Sequence, residues 1–313
     1  MKNASFQTLL DDLKISIRFA MKNVISYMLA IFGVFLVTII LIGIVAAFVF
    51  VPIFIIPGGF NAFLVWTESF NTWNAVSGLT IATGIFLIAL PFVAPLFVAT
   101  GALFGMSREI VESEGTSAEG VFTWYRKKFF SLAGGGIMLF LFILGPVMLV
   151  ITAGVALFGE QILNFAFIGS GGMTPLLSAL AVIWFTLSTG LMTMLFPAII
   201  DGYSVIEATK KSISMAIKYF DRVFGTWLSF LLLITALMAP MLLFANPFLW
   251  ERLVPAMIAV GIYAVVAIVF LVFVGLPALS IGLTRVYMIL SADDDDDTIP
   301  TNDEGSPGFI GGL

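Results

Sequence analysis

The chain has 313 residues, of which 60% are apolar and 11% charged, with a mean hydropathy of +1.12. The 14 Lys and Arg and 19 Asp and Glu would have to clothe an entire domain surface, which excludes a water-soluble fold of this size. The net charge of −5 belongs to the end of the chain: Asp293–Asp297, Asp303 and Glu304 follow the last apolar stretch, and without them cations slightly outnumber acids.

The first predicted element is an amphipathic helix ending at Lys22. Phe6, Leu9, Leu10, Leu13, Ile17 and Met21 share one face, while Asp11, Lys14, Arg18 and Lys22 tend to the other. Thr8 and Asp11 have the spacing of a helix-capping hydroxyl and a reciprocating acid. A first span follows over Val24–Val51, too long an apolar run for the core of a secretory signal, so it is expected to remain in the mature protein. Ile31 to Phe50 is apolar on every side, which excludes the alternation of a membrane β-barrel strand. The next loop carries Trp66 and Trp73 and has room for a short interfacial helix. Span two is placed at Gly78–Met106 and contains Pro91, Pro95, Gly101 and Gly105.

Thr116 and Glu119 repeat the capping spacing and open a second short helix that ends in Lys127-Lys128. Span three, Phe129–Ala156, starts with Gly134-Gly135-Gly136 and holds Pro146. Span four, Pro175–Ile200, has its only sizeable polar face in Thr186, Thr189 and Thr193 with Ser188 and Gly190. These threonines are candidates for lining a narrow path, although such hydroxyls also bond readily to the carbonyl one turn back. Asp201 ends this span, as a helix terminus or as a cation ligand. Ser204 and Glu207 then cap a third amphipathic helix, whose stripe of Ile206, Ile213, Ile217 and Phe220 opposes Lys210, Lys211, Lys218 and Arg222. Spans five and six are predicted over Val223–Ala245 and Val254–Thr284. Residues 1–292 form one membrane domain, and 293–313 read as a disordered acidic tail.

Each span lies in a stretch free of Asp, Glu, Lys and Arg that exceeds the roughly 20 residues needed to cross about 30 Å of hydrocarbon. The cations alternate from loop to loop. Apart from Arg252, all of them precede span one, lie between spans two and three or four and five, or follow span six. Because Lys and Arg resist translocation, both termini are expected in the cytoplasm of a multi-pass cell-membrane protein.

Internal similarity divides the domain. Ser16-Ile-Arg-Phe-Ala20-Met-Lys22 recurs as Ser212-Ile-Ser-Met-Ala216-Ile-Lys218. Pro146 follows Lys128 at the distance at which Pro240 follows Arg222, and Pro95 precedes Arg108 as Pro197 precedes Lys210. The expected fold class is therefore an all-α, polytopic transmembrane bundle of six spans, arranged as three approximate repeats of a cytoplasmic amphipathic helix plus a helical hairpin. The units run over about 5–107, 108–203 and 204–292. The amphipathic helices suit the water–lipid boundary, with Lys14, Arg18, Lys22, Lys127, Lys128, Lys210, Lys211 and Lys218 as candidate contacts to anionic headgroups. They equally suit packing on the ends of neighbouring spans.

This arrangement resembles the YciC-like prokaryotic membrane proteins and the membrane domain attached to some glycerophosphodiester phosphodiesterases. The resemblance rests on helices ending in Lys22-Asn23, Lys127-Lys128 and Lys218-Tyr219, each leading into an apolar hairpin. It implies an integral membrane role with no assigned reaction, and the chain carries no phosphodiesterase domain. Histidine and cysteine are both absent, and no catalytic, cofactor-binding or metal site stands out. The expectation is a non-enzymatic protein that organises lipid or protein partners, with anionic lipid, a membrane protein or a second copy as partner and no nucleic acid or cofactor. A transporter or pore for a small uncharged or lipid-like solute is the alternative, and a lipid-modifying enzyme stands third.

Overall fold

The structure, a computed structural model, describes residues 5–68, 75–113, 115–158, 173–241 and 254–298. The regular elements among them are helical throughout. Six stretches are long and apolar enough to cross a membrane: Val24–Ile55, Ser77–Ser113, Phe129–Leu157, Ala179–Asp201, Phe220–Met241 and Ile258–Ala292. The surface of these helices identifies the solvent they are made for. Phe48 is 78% exposed and Leu149 72%, within long bands of bare Ile, Val, Leu and Phe that water would penalise and hydrocarbon does not. The chain is a polytopic integral membrane protein.

In chain order, α1 (Phe6–Lys22) leads into α2 (Val24–Ile55), and the short α3 (Gly59–Glu68) precedes the long α4 (Ala75–Ser113). A second short helix, α5 (Ala118–Lys127), leads into α6 (Phe129–Phe158), and the fourth span is shared by α7 (Met173–Leu191) and α8 (Leu195–Asp201). A third, α9 (Val205–Lys218), leads into α10 (Phe220–Met238). The sixth span combines α11 (Val254–Phe270), a π-helical turn (Leu271–Gly275) and α12 (Leu276–Thr298).

Three times, a short helix meets a spanning helix through one residue. Asn23, Lys128 and Tyr219 take φ/ψ of −109/19°, −116/16° and −119/45°. These values lie beside the sparsely allowed bridge region, where a single residue redirects the chain without a loop. α3 occupies the stretch expected to hold a short helix and carries Trp66, which packs against Gly84; Trp73 lies outside the described residues.

Several local expectations are corrected. Of the three capping pairs, only Ser204 and Glu207 form a capping box, and those hydrogen bonds hold the Glu207 carboxyl below its usual range. Ser5 rather than Thr8 caps α1, because its hydroxyl lies one turn earlier and accepts the Thr8 N–H. Ser117 rather than Thr116 holds the cap position of α5, since Thr116 gives its hydroxyl to the Glu109 carboxylate, a stronger charge-assisted acceptor. Spans two and six run past Met106 and Thr284, because extending an existing helix needs little beyond the next hydrogen bond. α12 continues to Thr298 and takes the backbone of Asp293–Asp297 with it, past the boundary placed at Ala292. Residues 299–313 lie outside the described residues.

The packed core is gathered at the basic end. On α2, Tyr27, Ala30, Val34 and Thr38 are buried, and no described residue beyond Thr38 is. α12 is the central post of this end, burying Ala278, Ile281, Leu283, Val286, Tyr287 and Leu290 against α1, α4, α8 and α10. Glycines set the closest approach, between α4 and α6. A Cβ on Gly136 would lie only 2.2 Å from Cβ of Phe97, and one on Gly101 only 2.6 Å from Cδ2 of Leu132.

Candidate functional site

The chemistry of this protein is concentrated where α12 meets its neighbours. Arg285 and Tyr287 are two residues apart, so at about 100° per residue they leave α12 on nearly opposite sides. Each anchors a separate polar network.

On one side, Arg285 Nη1 donates to Asp12 Oδ1 at 2.6 Å, and Arg222 Nη2 pairs with Asp12 Oδ2 at 3.3 Å. The side chains of Asp12 and Arg222 are only 4% and 5% exposed, so this pair has left water, while Arg285 keeps a solvent-facing edge. Asp12 reaches them because it shares the inward stripe of α1 with Ser16 and Ala20, at helical spacings of four. One carboxylate thus joins α1, α10 and α12. On the opposite side, Asp201 accepts from Arg108 Nη1 at 2.9 Å and from the Tyr287 hydroxyl at 3.0 Å, joining α8, α4 and α12. Arg108 is also paired with Glu112 at 2.8 Å. Asp201, raised above as a cation ligand, has both carboxylate oxygens committed to these partners.

A neutral cluster lies deeper. The Tyr27 hydroxyl is 2.8 Å from Ser107 Oγ, which is 2.7 Å from Ser280 Oγ, tying α2, α4 and α12 with groups that are all buried. Two cavities flank this layer. A cavity of 550 Å³ on the basic side is lined by Ile15, Arg18, Phe19, Lys22, Val111 and Arg285. The other, of 210 Å³, is almost wholly apolar and lies among α2, α4 and the π-helical turn, with Val34, Thr38, Ala99, Leu103, Val272 and Leu276 in its wall.

The predicted site residues divide accordingly. Arg18 and Lys22 come together with Arg285 at the larger cavity. Lys14 and Lys210 are exposed away from that cavity's lining. Lys127 lies over the Trp124 ring and Lys218 over that of Tyr219. Lys128 serves as the α5–α6 junction, and Lys211 is turned inward, donating to the Tyr203 hydroxyl at 2.8 Å. In span four, Thr189 donates to the Phe185 carbonyl and Thr193 to that of Gly190, and Thr186 offers its carbonyl to Thr189. Neither cavity is lined by these threonines.

The fourth span is interrupted, which the hydropathy pattern did not disclose. α7 ends at Leu191 and α8 begins at Leu195. Ser212 of α9 fills the gap: its hydroxyl donates to the Leu191 carbonyl at 2.8 Å and accepts the Met194 N–H at 3.2 Å. The signal was present in the alignment of Ser16 with Ser212, since a serine on the buried stripe of an otherwise apolar helix needs partners.

Compared with known proteins, the chain matches no family model, no curated protein and no solved structure.

Proposed function

We propose that this is a non-enzymatic membrane protein that organises anionic lipid or partner proteins through a collar of short helices. In this reading α1, α5 and α9 lie on the cytoplasmic leaflet, both termini are cytoplasmic, and the three helix-plus-hairpin units are approximate repeats. The carrying observation is that, among the described residues, the packed core, the ion pairs and the cations gather at one end of a bundle whose remaining surface is largely apolar. Phe6, Leu10 and Met21 on α1 and Ile206 and Ile217 on α9 are exposed beside Lys14, Lys22, Lys210 and Lys218, an arrangement suited to acyl chains below and acidic headgroups alongside. The resemblance to YciC-like proteins belongs to this proposal as an expectation of architecture.

The interrupted fourth span favours a second reading, transport, because exposed backbone groups at a helix break often bind solutes. Here those groups are taken up by Ser212, and the Thr189 and Thr193 hydroxyls are bonded to their own helix, which favours the organising role.

Isolation in mild detergent followed by mass analysis tests the proposal. Acidic phospholipid or a stoichiometric membrane protein is expected to co-purify. Recovery of a lipid-free protein without partners would overturn the organising role, and uptake of a solute into reconstituted vesicles that is lost in Thr193→Ala would favour transport.

A further inference from the structure

We propose that the 210 Å³ cavity among α2, α4 and the π-helical turn is a binding site, open sideways to the bilayer, for the carbonyl-bearing ring of a neutral membrane lipid of the quinone class. The inference goes beyond the lipid-organising collar and does not depend on it.

Access and wall come first. Val34 and Leu103 in the wall are buried, whereas Phe35, Leu96, Val272 and Leu276 are partly bare at the rim. The rim belongs to spanning helices, so an occupant arrives from within the hydrocarbon and must dissolve there. No ionisable side chain lines the cavity, and a carboxylate or phosphate would give up its hydration here without a partner. Apolar protein cavities of about 150 Å³ take up benzene. At 210 Å³ this one has room for a single substituted ring. The π-helical turn places Val272 in the wall, and such turns recur inside helices at functional sites.

Hydrogen bonding and depth then select the chemistry. Thr38 lines the cavity and is only 2% exposed, yet no described residue meets its hydroxyl at hydrogen-bonding geometry. Threonines elsewhere in the chain give that hydroxyl to a carbonyl one turn back, as Thr152, Thr189 and Thr209 do. The Tyr125 hydroxyl of α5 approaches Thr38, but it too is buried with no bond of normal geometry. A buried hydroxyl in this state is costly, and a carbonyl oxygen in the cavity relieves the cost by accepting from it. Water is a poorer occupant, since it needs two or more polar partners and the other hydroxyl of the wall, on Thr100, is given to the Phe97 carbonyl. Thr38 stands near the middle of the 32-residue α2, and Val272 near the middle of the sixth span. Mid-depth is about 15 Å from either edge of the hydrocarbon, where the ester groups of glycerolipids stay with their headgroups. A quinone carries its carbonyls on an uncharged ring free of glycerol, so it brings an acceptor to this depth and leaves its tail in the bilayer outside the rim.

The test uses the full chain in lipid nanodiscs, titrated with decylubiquinone, with decylbenzene as a ring lacking carbonyls and with dioctanoylglycerol as a neutral glycerolipid. Binding is read by calorimetry and by the shift in thermal unfolding. One decylubiquinone is expected to bind per chain and to raise the midpoint. Thr38→Val keeps the shape and removes the hydroxyl. It is expected to weaken decylubiquinone about fivefold, to leave decylbenzene unchanged and to leave the ligand-free midpoint equal or higher. Ala99→Leu, or the milder Ala99→Val, fills the cavity and is expected to weaken both ring compounds about tenfold. Decylbenzene binding as tightly as decylubiquinone, or Thr38→Val without effect on the quinone, would overturn the carbonyl assignment. Dioctanoylglycerol binding more tightly than decylubiquinone would overturn the quinone class. A lowered ligand-free midpoint in Thr38→Val would show that this hydroxyl holds the fold and refute its role as a donor to the ligand. Decylubiquinone uptake that does not saturate, or is the same in both Ala99 variants, would overturn the site; the collar is tested separately, by the acidic lipid or protein that co-purifies.

Discussion

Asp12 stands where an uncompensated carboxylate would be most costly. It is buried at the meeting of three helices, and two guanidiniums make its burial tolerable. Removing one member of such a buried set leaves the others stranded, so Asp12→Ala is expected to destabilise the protein by about 3 kcal/mol. Thermal unfolding in detergent measures this as a lowered midpoint. Replacing Asp12, Arg222 and Arg285 together by apolar residues of similar size is expected to recover much of that loss, because the buried carboxylate and the guanidiniums paired with it are removed together. The neighbouring Asp11 is exposed, and Asp11→Ala is expected to change stability little. The sequence reading placed Asp11 in a capping pair and on the polar face and passed over Asp12, since amphipathic periodicity marks the outward face but does not reveal that the inward stripe also holds a charge. The partners of Asp12 lie 210 and 273 residues away, and no local pattern connects them.

At the level of elements, prolines have different consequences in related spans. Pro91 and Pro95 sit inside a continuous α4, whereas the fourth span breaks just before Pro197. Proline removes one backbone donor in either case. What differs is Ser212, which supplies both a donor and an acceptor to the opened turn and so makes an interruption affordable. Ser212→Ala would leave a buried carbonyl and a buried N–H without this partner, at a cost of about 1–3 kcal/mol. Amide hydrogen exchange should show the loss as faster exchange at Met194, with the distant α1 network unchanged. Pro146 gives a parallel case, because Trp184 donates its indole N–H at 2.8 Å to the Ile143 carbonyl, on the turn that this proline loosens. That contact accounts for a tryptophan placed away from the membrane boundaries, which its position in the sequence left unexplained.

For the molecule as a whole, the pairing of Asp12 with Arg285 places the start and the end of the domain on the same side of the bundle. The proposed orientation assigns that side to the cytoplasm. The chain has no cysteine, so single cysteines report topology without background. Lys210→Cys is expected to resist a membrane-impermeant thiol reagent in intact cells and to react after permeabilisation, while Thr67→Cys on α3 is expected to react in both. Labelling of Lys210→Cys in sealed cells would overturn the orientation and the inner-leaflet role built on it.

The sequence by itself determined the helical class, the number of spans and the gathering of cations in alternate loops. These depend on the length and polarity of contiguous stretches, which the thickness of a bilayer reads directly. It also supplied the Ser204–Glu207 cap, a contact closed within one helical turn. Tertiary structure alone decided which aspartate is buried, which serine bridges the broken span, and which two of the eight candidate lysines and arginines share a cavity with Arg285. Those outcomes depend on how α1 and α9 rotate against α12 and α8, and an apolar stripe narrows such a rotation without fixing it. Close packing and the pairing of buried polar groups complete the choice, through contacts between residues far apart in the chain.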